Sequence, residues 1–338
     1  MTDLISESAK RLFAQYPVAP DDKDSSWDPA LWQAVEEAGF PLALLSEEEG
    51  GFGLEAEDAF GLLHIAAANC VAVPLGETML ANWVLAQSGL PLAEGPAAIG
   101  ALRSDIAVPY GRHLQTLVTV AEQDHGIIVS RHDLRVSAPD WQHGANLVGE
   151  PRDHLKALEG AGAPQAAHTT LAADTIEALG ALVRVQQIAG ALRAVLDMTV
   201  RYAGERVQFG KPIGKFQAIQ QYLAIMAGDV AAANAAASMA AQTFPFTVRD
   251  AQTFDLIVAA AKIRAGEAAG RVASLSHQVH GAIGFSQEYG LHPLTRRLWS
   301  WRDEYGREMD WAGKLGSVAF EQPSGLWPFV TKLQSEFF

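Results

Sequence analysis

Cysteine and charge are both scarce in this sequence. Its 338 residues include one cysteine, Cys70, and only 19% of them are charged. A single cysteine excludes a disulfide framework within the chain and any zinc or iron–sulfur site built from several cysteines. The 25 basic residues are outnumbered by 39 acidic ones, which gives a formal charge of 25 − 39 = −14. This excess argues against nucleic acid or an anionic membrane as the main partner, because both require clustered Lys and Arg.

A targeting signal and a membrane span are not evident either. The start, Met1 to Pro17, lacks the basic cap and apolar run of a secretory signal. The longest stretch without charge, between Asp229 and Arg249, is mostly alanine with some polar residues. Such residues suit tight helix packing better than lipid. We therefore expect no membrane contact and a cytoplasmic location.

The 49% of hydrophobic residues are enough for a large core, and their pattern divides the chain into three parts. The sequence predicts a mainly α protein with a small β insert: an N-terminal α-helical domain over 1–95, a shortened β-rich middle domain over 96–170 and a C-terminal helical bundle over 171–338. In the first part, Asp28 is placed to cap a helix that starts at Pro29. Strands are predicted near 99–102, 106–108, 117–121, 126–130 and 134–136, and a loop at 159–170. Long helices are predicted near 174–208, 216–241 and 250–279, the last with Thr247 as a possible cap.

The sequence gives little support to a metal site or to a catalytic nucleophile. The only Glu-x-x-His, from Glu122 to His125, lies in the strand-rich insert, where a solvated loop is the better interpretation. His277 and His280 have no nearby carboxylate to complete a ligand set, so we predict no metal. No Gly-x-Ser-x-Gly elbow or dinucleotide-binding glycine turn occurs, and Cys70 is interpreted as a small core residue.

Two segments have a more specific composition. In the first, a long helix ends at Arg206-Val-Gln-Phe-Gly-Lys-Pro-Ile213, where Arg206 offers a planar donor fork suited to phosphate oxygens and Phe209 an apolar surface beside it. Taken alone, a basic last turn merely complements the helix dipole. In the second, Gln278-Val-His-Gly-Ala-Ile-Gly-Phe285, the glycines permit close approach of a flat ligand and Gln278 can hydrogen-bond it. An ordinary helix–turn–helix corner is the alternative.

Together these segments resemble the acyl-CoA dehydrogenase family. The resemblance extends to Glu47-Glu-Glu-Gly-Gly-Phe-Gly-Leu54 near the start and to Arg296-Arg-Leu-Trp299 near the end, in family order. It implies a helical domain, a small β domain and a C-terminal four-helix bundle. It also implies FAD as cofactor, an acyl-CoA substrate, removal of hydrogens from Cα and Cβ, and an electron-transfer protein as acceptor.

The resemblance assigns contacts with a flavin held mainly by a neighbouring subunit. The matching positions are Arg206, Phe209, Gln217, Gln278 and Gly281. One further glycine of the family is Ala282 here, whose methyl group would crowd that edge slightly.

The departures from the family are as informative. The loop and strand that grip the isoalloxazine are not found between 97 and 170, so this chain is not expected to hold its own flavin ring. The usual catalytic Glu is replaced by Tyr305, and the alternative base position falls at about Gly180. Glu304 is one residue away, which on a helix is a rotation of about 100°. It is therefore a base candidate only if the local helix differs.

In lacking these features, the chain resembles one class within the family, the α2β2 dehydrogenases that act on steroid side-chain CoA thioesters. The leading hypothesis is a subunit that completes the flavin site of a second acyl-CoA dehydrogenase subunit, which would supply the base. A second hypothesis is a self-sufficient homo-oligomer with Glu304 or Asp303 as a relocated base. A third is a structural or binding relative without flavin chemistry.

Overall fold

The computed structural model describes residues 2–16, 27–101, 107–123, 126–136, 138–159, 164–244, 251–321, 327, 328 and 331. In these residues the predicted fold class is confirmed: helices come first, a β-rich section follows, and long helices complete the chain. The predicted domain limits at 95 and 170 fall in the connections between these sections and stay a prediction.

Over residues 2–16 and 27–95 the first section has four α-helices: α1 (Thr2–Ala14), α2 (Pro29–Glu37), α3 (Ala56–Ala68) and α4 (Leu75–Gln87). The carboxylate of Asp28 accepts hydrogen bonds from the backbone N–H groups of Ala30 (2.9 Å) and Leu31 (3.1 Å), which fixes the start of α2 as predicted. Nearly every residue of α4 is buried, so this helix forms the centre of the section.

The described part of the middle section forms two small sheets. The strands are β1 (Ala97–Ala101), β2 (Val108–Pro109), β3 (Thr116–Gln123), β4 (Gly126–Asp133), β5 (Ala138–Gln142), β6 (Arg152–Glu159) and β7 (Gln165–Thr169). One sheet has the order β1-β3-β4-β7 and the other β2-β6-β5. The pair β1–β3 is parallel and the remaining pairs are antiparallel.

The sequence-based strand assignment was wrong in three places. Residues 134–136 form a turn, the predicted loop at 159–170 contains β7, and β5 and β6 were missed. Glu122 likewise lies in β3 rather than in a loop, while His125 lies outside the described residues. Strands β5–β7 were missed because they are rich in polar residues, whereas the backbone bonds that pair strands do not depend on the side chain.

Long helices dominate the last section. These are α5 (Ala173–Glu205), α6 (Gln217–Gln242), α7 (Ala251–His280), α8 (Leu291–Asp303) and α9 (Glu308–Phe320). A two-stranded hairpin, β8 (Val207–Gln208) and β9 (Lys211–Pro212), joins α5 to α6. The candidate cap Thr247 lies outside the described residues.

Helices α5 and α6 are both long and apolar enough to cross a membrane by length and composition. The apolar window of α5 is 78% buried inside the protein, as expected of a core helix, but that of α6 is only 33% buried. The outer face of α6 is therefore apolar and uncovered, with Ile225 and Met239 among its exposed side chains.

One continuous core joins the first and last sections. It extends from Ala9 in α1 to Trp311 in α9. Helices α3 and α5 approach so closely that a β-carbon at Gly190 would lie 2.4 Å from the carbonyl oxygen of His64. Cys70 packs half-buried against this core, as predicted, and burial raises the pKa of its thiol.

Candidate functional site

The predicted cofactor residues lie at one end of the helical bundle. Arg206 ends α5, and its side chain projects into solvent; among the described residues no carboxylate pairs with it. Phe209, at the tip of the β8–β9 hairpin, is 92% exposed and has φ = 51°, a left-handed conformation that is uncommon for an aromatic residue. An exposed cation beside an exposed aromatic ring could contact a nucleotide that a neighbouring chain holds.

The structure brings the two predicted segments together. The ring of Tyr202, one turn before Arg206, stacks on His280 with a centroid distance of 4.5 Å, and its hydroxyl donates to the backbone carbonyl of His280 at 3.3 Å. His280 directly precedes Gly281. The ends of α5 and α7 therefore meet, at the end of the bundle that carries the five predicted cofactor residues. We call these five residues, Arg206, Phe209, Gln217, Gln278 and Gly281, the cofactor corner.

The other members of the cofactor corner are also open to solvent. Gln217 begins α6 and Gln278 lies in the last turn of α7, both exposed. Gly281 has φ = 63°, and nothing lies within 4 Å of a β-carbon built there. Ala282, where the resemblance expects a further glycine, is exposed as well.

A cavity of about 1060 Å³ lies between the three sections of the chain, away from the cofactor corner. Strands β1–β3 contribute one wall, with Ile99 and Val120 among its apolar side chains. Helices α4 and α5 contribute Leu80 and Ile176, and the end of α8 contributes Trp299 and the turn after it.

A chain of buried ion pairs borders this cavity and links all three sections. Glu77 of α4 pairs with Arg184 of α5 at 2.7 Å, and Arg184 pairs with Glu304 at 2.7 Å. Arg152 of β6 bonds Glu304 at 2.8 and 3.0 Å and Glu150 at 3.1 Å. Arg297 of α8 ends the chain, 2.9 Å from Glu150. We call these six residues, three acids and three arginines, the ionic chain.

The ionic chain fixes the charge of Glu304, the predicted base candidate. Burial alone would raise the pKa of this carboxyl, but the guanidinium groups of Arg152 and Arg184 outweigh burial and lower the pKa to about 2. A carboxylate with so low a pKa, and with both oxygens already bound, accepts a substrate proton poorly at neutral pH. Asp303, the other candidate, is half exposed and lies 3.6 Å from Arg307.

The turn after α8 closes the cavity at the position of the usual base. Tyr305 has φ = 55° and Gly306 φ = 89°. The ring of Tyr305 lies against Gly180, where a β-carbon would be 2.3 Å from it. Buried Lys262 holds this turn, because its ammonium donates to the carbonyl oxygens of Arg302 (2.7 Å) and Gly306 (2.6 Å). The two positions at which the family would place its base therefore pack against each other.

Neither histidine of the second segment is arranged as a metal ligand. The ring of His277 stacks on Phe285 (4.3 Å) and bonds the hydroxyl of Thr295 (2.9 Å), and His280 bonds Tyr289 (3.2 Å). Burial lowers the pKa of both imidazoles. Within the described residues, no group of three or more His, Cys, Asp or Glu side chains could hold a metal ion.

Most of the ionic chain was not predicted from the sequence. Arg184 gave the best available signal, because a charged residue among Leu182, Val183 and Val185 on a buried helix requires a buried partner. Nothing in the sequence identified that partner as Glu77, which is 107 residues away.

Known proteins share both the sequence pattern and this fold. Residues 176–301 match the family model of the acyl-CoA dehydrogenase C-terminal domain. Over 282 residues the chain is 30% identical to acyl-CoA dehydrogenase IpdE2 of Mycobacterium tuberculosis, covering 81% of each protein. The chain belongs to the acyl-CoA dehydrogenase family. It is thus a member of a family of oxidoreductases, as the sequence motifs predict.

Solved structures of the family have the same fold at lower identity. The ChsE4–ChsE5 complex of Mycobacterium tuberculosis matches with a TM-score of 0.80 and 23% identity, over 95% of this chain and 98% of that one. A steroid acyl-CoA dehydrogenase, the Tcur3481–Tcur3483 G363A variant, matches with a TM-score of 0.80 and 20% identity over the same shares.

Proposed function

We propose that this chain is a subunit of a heteromeric, FAD-dependent acyl-CoA dehydrogenase and that it completes the flavin site of a second subunit. The observation that carries the proposal is the contrast between its two sites. The cofactor corner presents an unpaired guanidinium to the outside. By contrast, the one arginine among the described residues that line the chain's own cavity, Arg152, is already paired with carboxylates.

The cofactor corner suits the diphosphate and adenosine part of FAD. Arg206 would bind phosphate oxygens through its fork of N–H donors, and Gly281 would let the nucleotide lie close to the backbone. Phe209 would cover an apolar face, and Gln217 and Gln278 would donate and accept hydrogen bonds. When bound, FAD accepts the hydride that leaves Cβ of the acyl group.

The second subunit would contribute the isoalloxazine pocket and the general base. In this chain Tyr305 and Gly180 stand at the family's two base positions, and Glu304 is bound by two arginines. The uncovered apolar face of α6 supports association with another chain, as does the similarity of the fold to the ChsE4–ChsE5 complex. We further propose a bulky, steroid-type acyl group, an electron-transfer protein as acceptor and a cytoplasmic location.

Co-expression of this chain with its partner subunit tests the proposal. The wild-type complex should contain FAD and oxidise acyl-CoA, and each chain alone should do neither. Arg206→Ala should weaken FAD binding by about 10- to 100-fold, since it removes a charge-assisted hydrogen bond. FAD content is measured by absorbance per complex, and affinity by titration of the apo-complex.

Arg193→Ala is the matched control, because Arg193 lies exposed on the same helix and pairs with Asp197 one turn later. It should leave FAD binding unchanged. A yellow, fully active homomer of this chain would contradict the proposal, and so would an Arg206→Ala complex with wild-type FAD affinity.

A further inference from the structure

We infer that the central cavity of this chain binds an uncharged, mainly apolar molecule and excludes acyl-CoA and other anions. The inference rests on the proposed function, in which the partner holds flavin and thioester and leaves this cavity free.

The cationic side chains near the cavity are few and already paired. Only one cationic side chain, Arg152, is among the described residues that line the cavity, and its donors are occupied by Glu304, Glu150 and the carbonyl of Pro151. Arg184, behind the wall, is likewise bound to Glu77, Glu304 and Gln187. Among the described residues that line the cavity, no guanidinium is therefore left unpaired to neutralise the phosphates of a CoA.

The acidic side chains that line the cavity would repel an anion. The carboxylates of Glu122, Asp174, Glu177 and Asp303 also line the cavity. Lys314 pairs with Glu177 at 2.6 Å and Arg307 with Asp303 at 3.6 Å, so the remaining excess comes from Glu122 and Asp174. An anion entering the cavity would meet like charge, with no unpaired cation among the described lining residues, and such a contact selects against it.

The apolar side chains of the cavity walls would favour binding of an apolar molecule. Apolar side chains from β1, β2 and β3 face those from α4 and α5 across a volume large enough for a multi-ring molecule. These lining residues are Leu80, Ile99, Pro109, Val120, Ile176 and Trp299. Removing an apolar surface from water against such walls is favourable without any ionic contact.

Three probes with one skeleton test the inference on the full chain: 1-pyrenemethanol, 1-pyrenecarboxylate and 1-pyrenemethylamine. Fluorescence anisotropy gives each dissociation constant. The alcohol should bind at least tenfold more tightly than the carboxylate, and no more than tenfold more weakly than the amine. Equal binding of alcohol and carboxylate would overturn the inference, and a strong preference for the amine would mark a cation site instead.

Two variants locate the bound probe. Ala173→Trp should fill the cavity mouth and reduce binding of the alcohol at least tenfold, while Ala173→Ser should not. Asp174→Lys, at an exposed lining position, should bring the affinity for the carboxylate to within about threefold of that for the alcohol. If Ala173→Trp fails to fold, the charge reversal alone decides: an unchanged preference at Asp174→Lys refutes the assignment.

Phe209→Ala separates this inference from the proposed function. It removes the most exposed ring of the cofactor corner, so the FAD content of the complex should fall while pyrenemethanol binding persists. Loss of pyrenemethanol binding in Phe209→Ala would place the probe on the outer surface and contradict the cavity assignment, whatever the FAD content.

Discussion

The ring of Tyr305 lies directly on the α-carbon of Gly180, so that a β-carbon at position 180 would be 2.3 Å from two ring atoms. Both residues belong to regions where the family's chemistry would require a carboxylate. Here they form a steric contact instead, and the contact can be tested by substitution.

Gly180→Ala should destabilise the chain by about 2 kcal/mol, because the added methyl group overlaps the Tyr305 ring. Urea unfolding measures the loss. Gly204→Ala is the control on the same helix: nothing lies within 4 Å of a β-carbon there, so it should be neutral or stabilising. In Tyr305→Ala the added methyl group has room, so Gly180→Ala should cost less in that background; equal costs would exclude the contact.

Glu304→Gln should destabilise the chain by about 3–5 kcal/mol at neutral pH, because it leaves Arg152 and Arg184 without their shared carboxylate. Activity of the complex should change only as far as the subunit unfolds. A Glu304→Gln complex that is fully folded and binds FAD but does not turn over would instead identify Glu304 as the base.

The same carboxyl predicts a pH dependence in acid. Its pKa is lowered from the ordinary 4.5 to about 2 in the folded state, so its contribution is complete above pH 4.5 and is lost as the pH falls toward 2. The loss amounts to about 3 kcal/mol. Unfolding between pH 5 and 2.5 should therefore show a steeper decline for the wild type than for Glu304→Gln. Glu48→Gln, at an exposed position, should follow the wild type.

Lys262 predicts a second rise of stability with pH, in base. Burial lowers the pKa of its ammonium from 10.5 to about 8, although Glu308 partly offsets this. Between these values the unfolded chain binds more protons, so stability should rise from pH 8 to 10. Lys262→Met should lack this part of the rise. Parallel pH profiles for the two proteins would contradict the buried, charged state of Lys262.

Asp255→Asn should stabilise the chain at neutral pH. Burial, together with the nearby charge of Asp174, raises the pKa of Asp255 from 3.8 to about 6, so its ionisation costs stability as the pH rises through this window. After allowance for solvent screening the gain is about 1 kcal/mol at pH 7 and absent at pH 3. Thermal unfolding at both values measures it, with Asp140→Asn at an exposed position as control.

The helices were predictable because their signals are local. Asp28 before Pro29 marks the start of α2, and the spacing of apolar residues after Asp174 identifies α5 to within a few residues. Strand β6 was not predictable in this way, since Arg152 to Glu159 alternates weakly and contains four charged residues. Its position depends on pairing with β2 and β5.

The residues of the candidate site also fall into two groups, those with a local sequence signal and those without one. Arg206 and Gly281 were found from short motifs, and the contact between Tyr202 and His280 brings their segments together. The ionic chain was not found, because Arg152 and Glu304 are 152 residues apart and neither lies in a motif. Such pairs become visible only when the sections are packed.

The ion pairs of Glu304 affect how cooperatively the protein unfolds. Its carboxylate is shared by an arginine from the middle section and one from the bundle, and the latter also reaches Glu77 in the first section. Loosening any one section would expose partnerless charges in the other two, at a penalty larger than most local openings can tolerate. The three sections should consequently melt in a single cooperative transition, and partial detachment of the β-rich section should be rare in native-state hydrogen exchange.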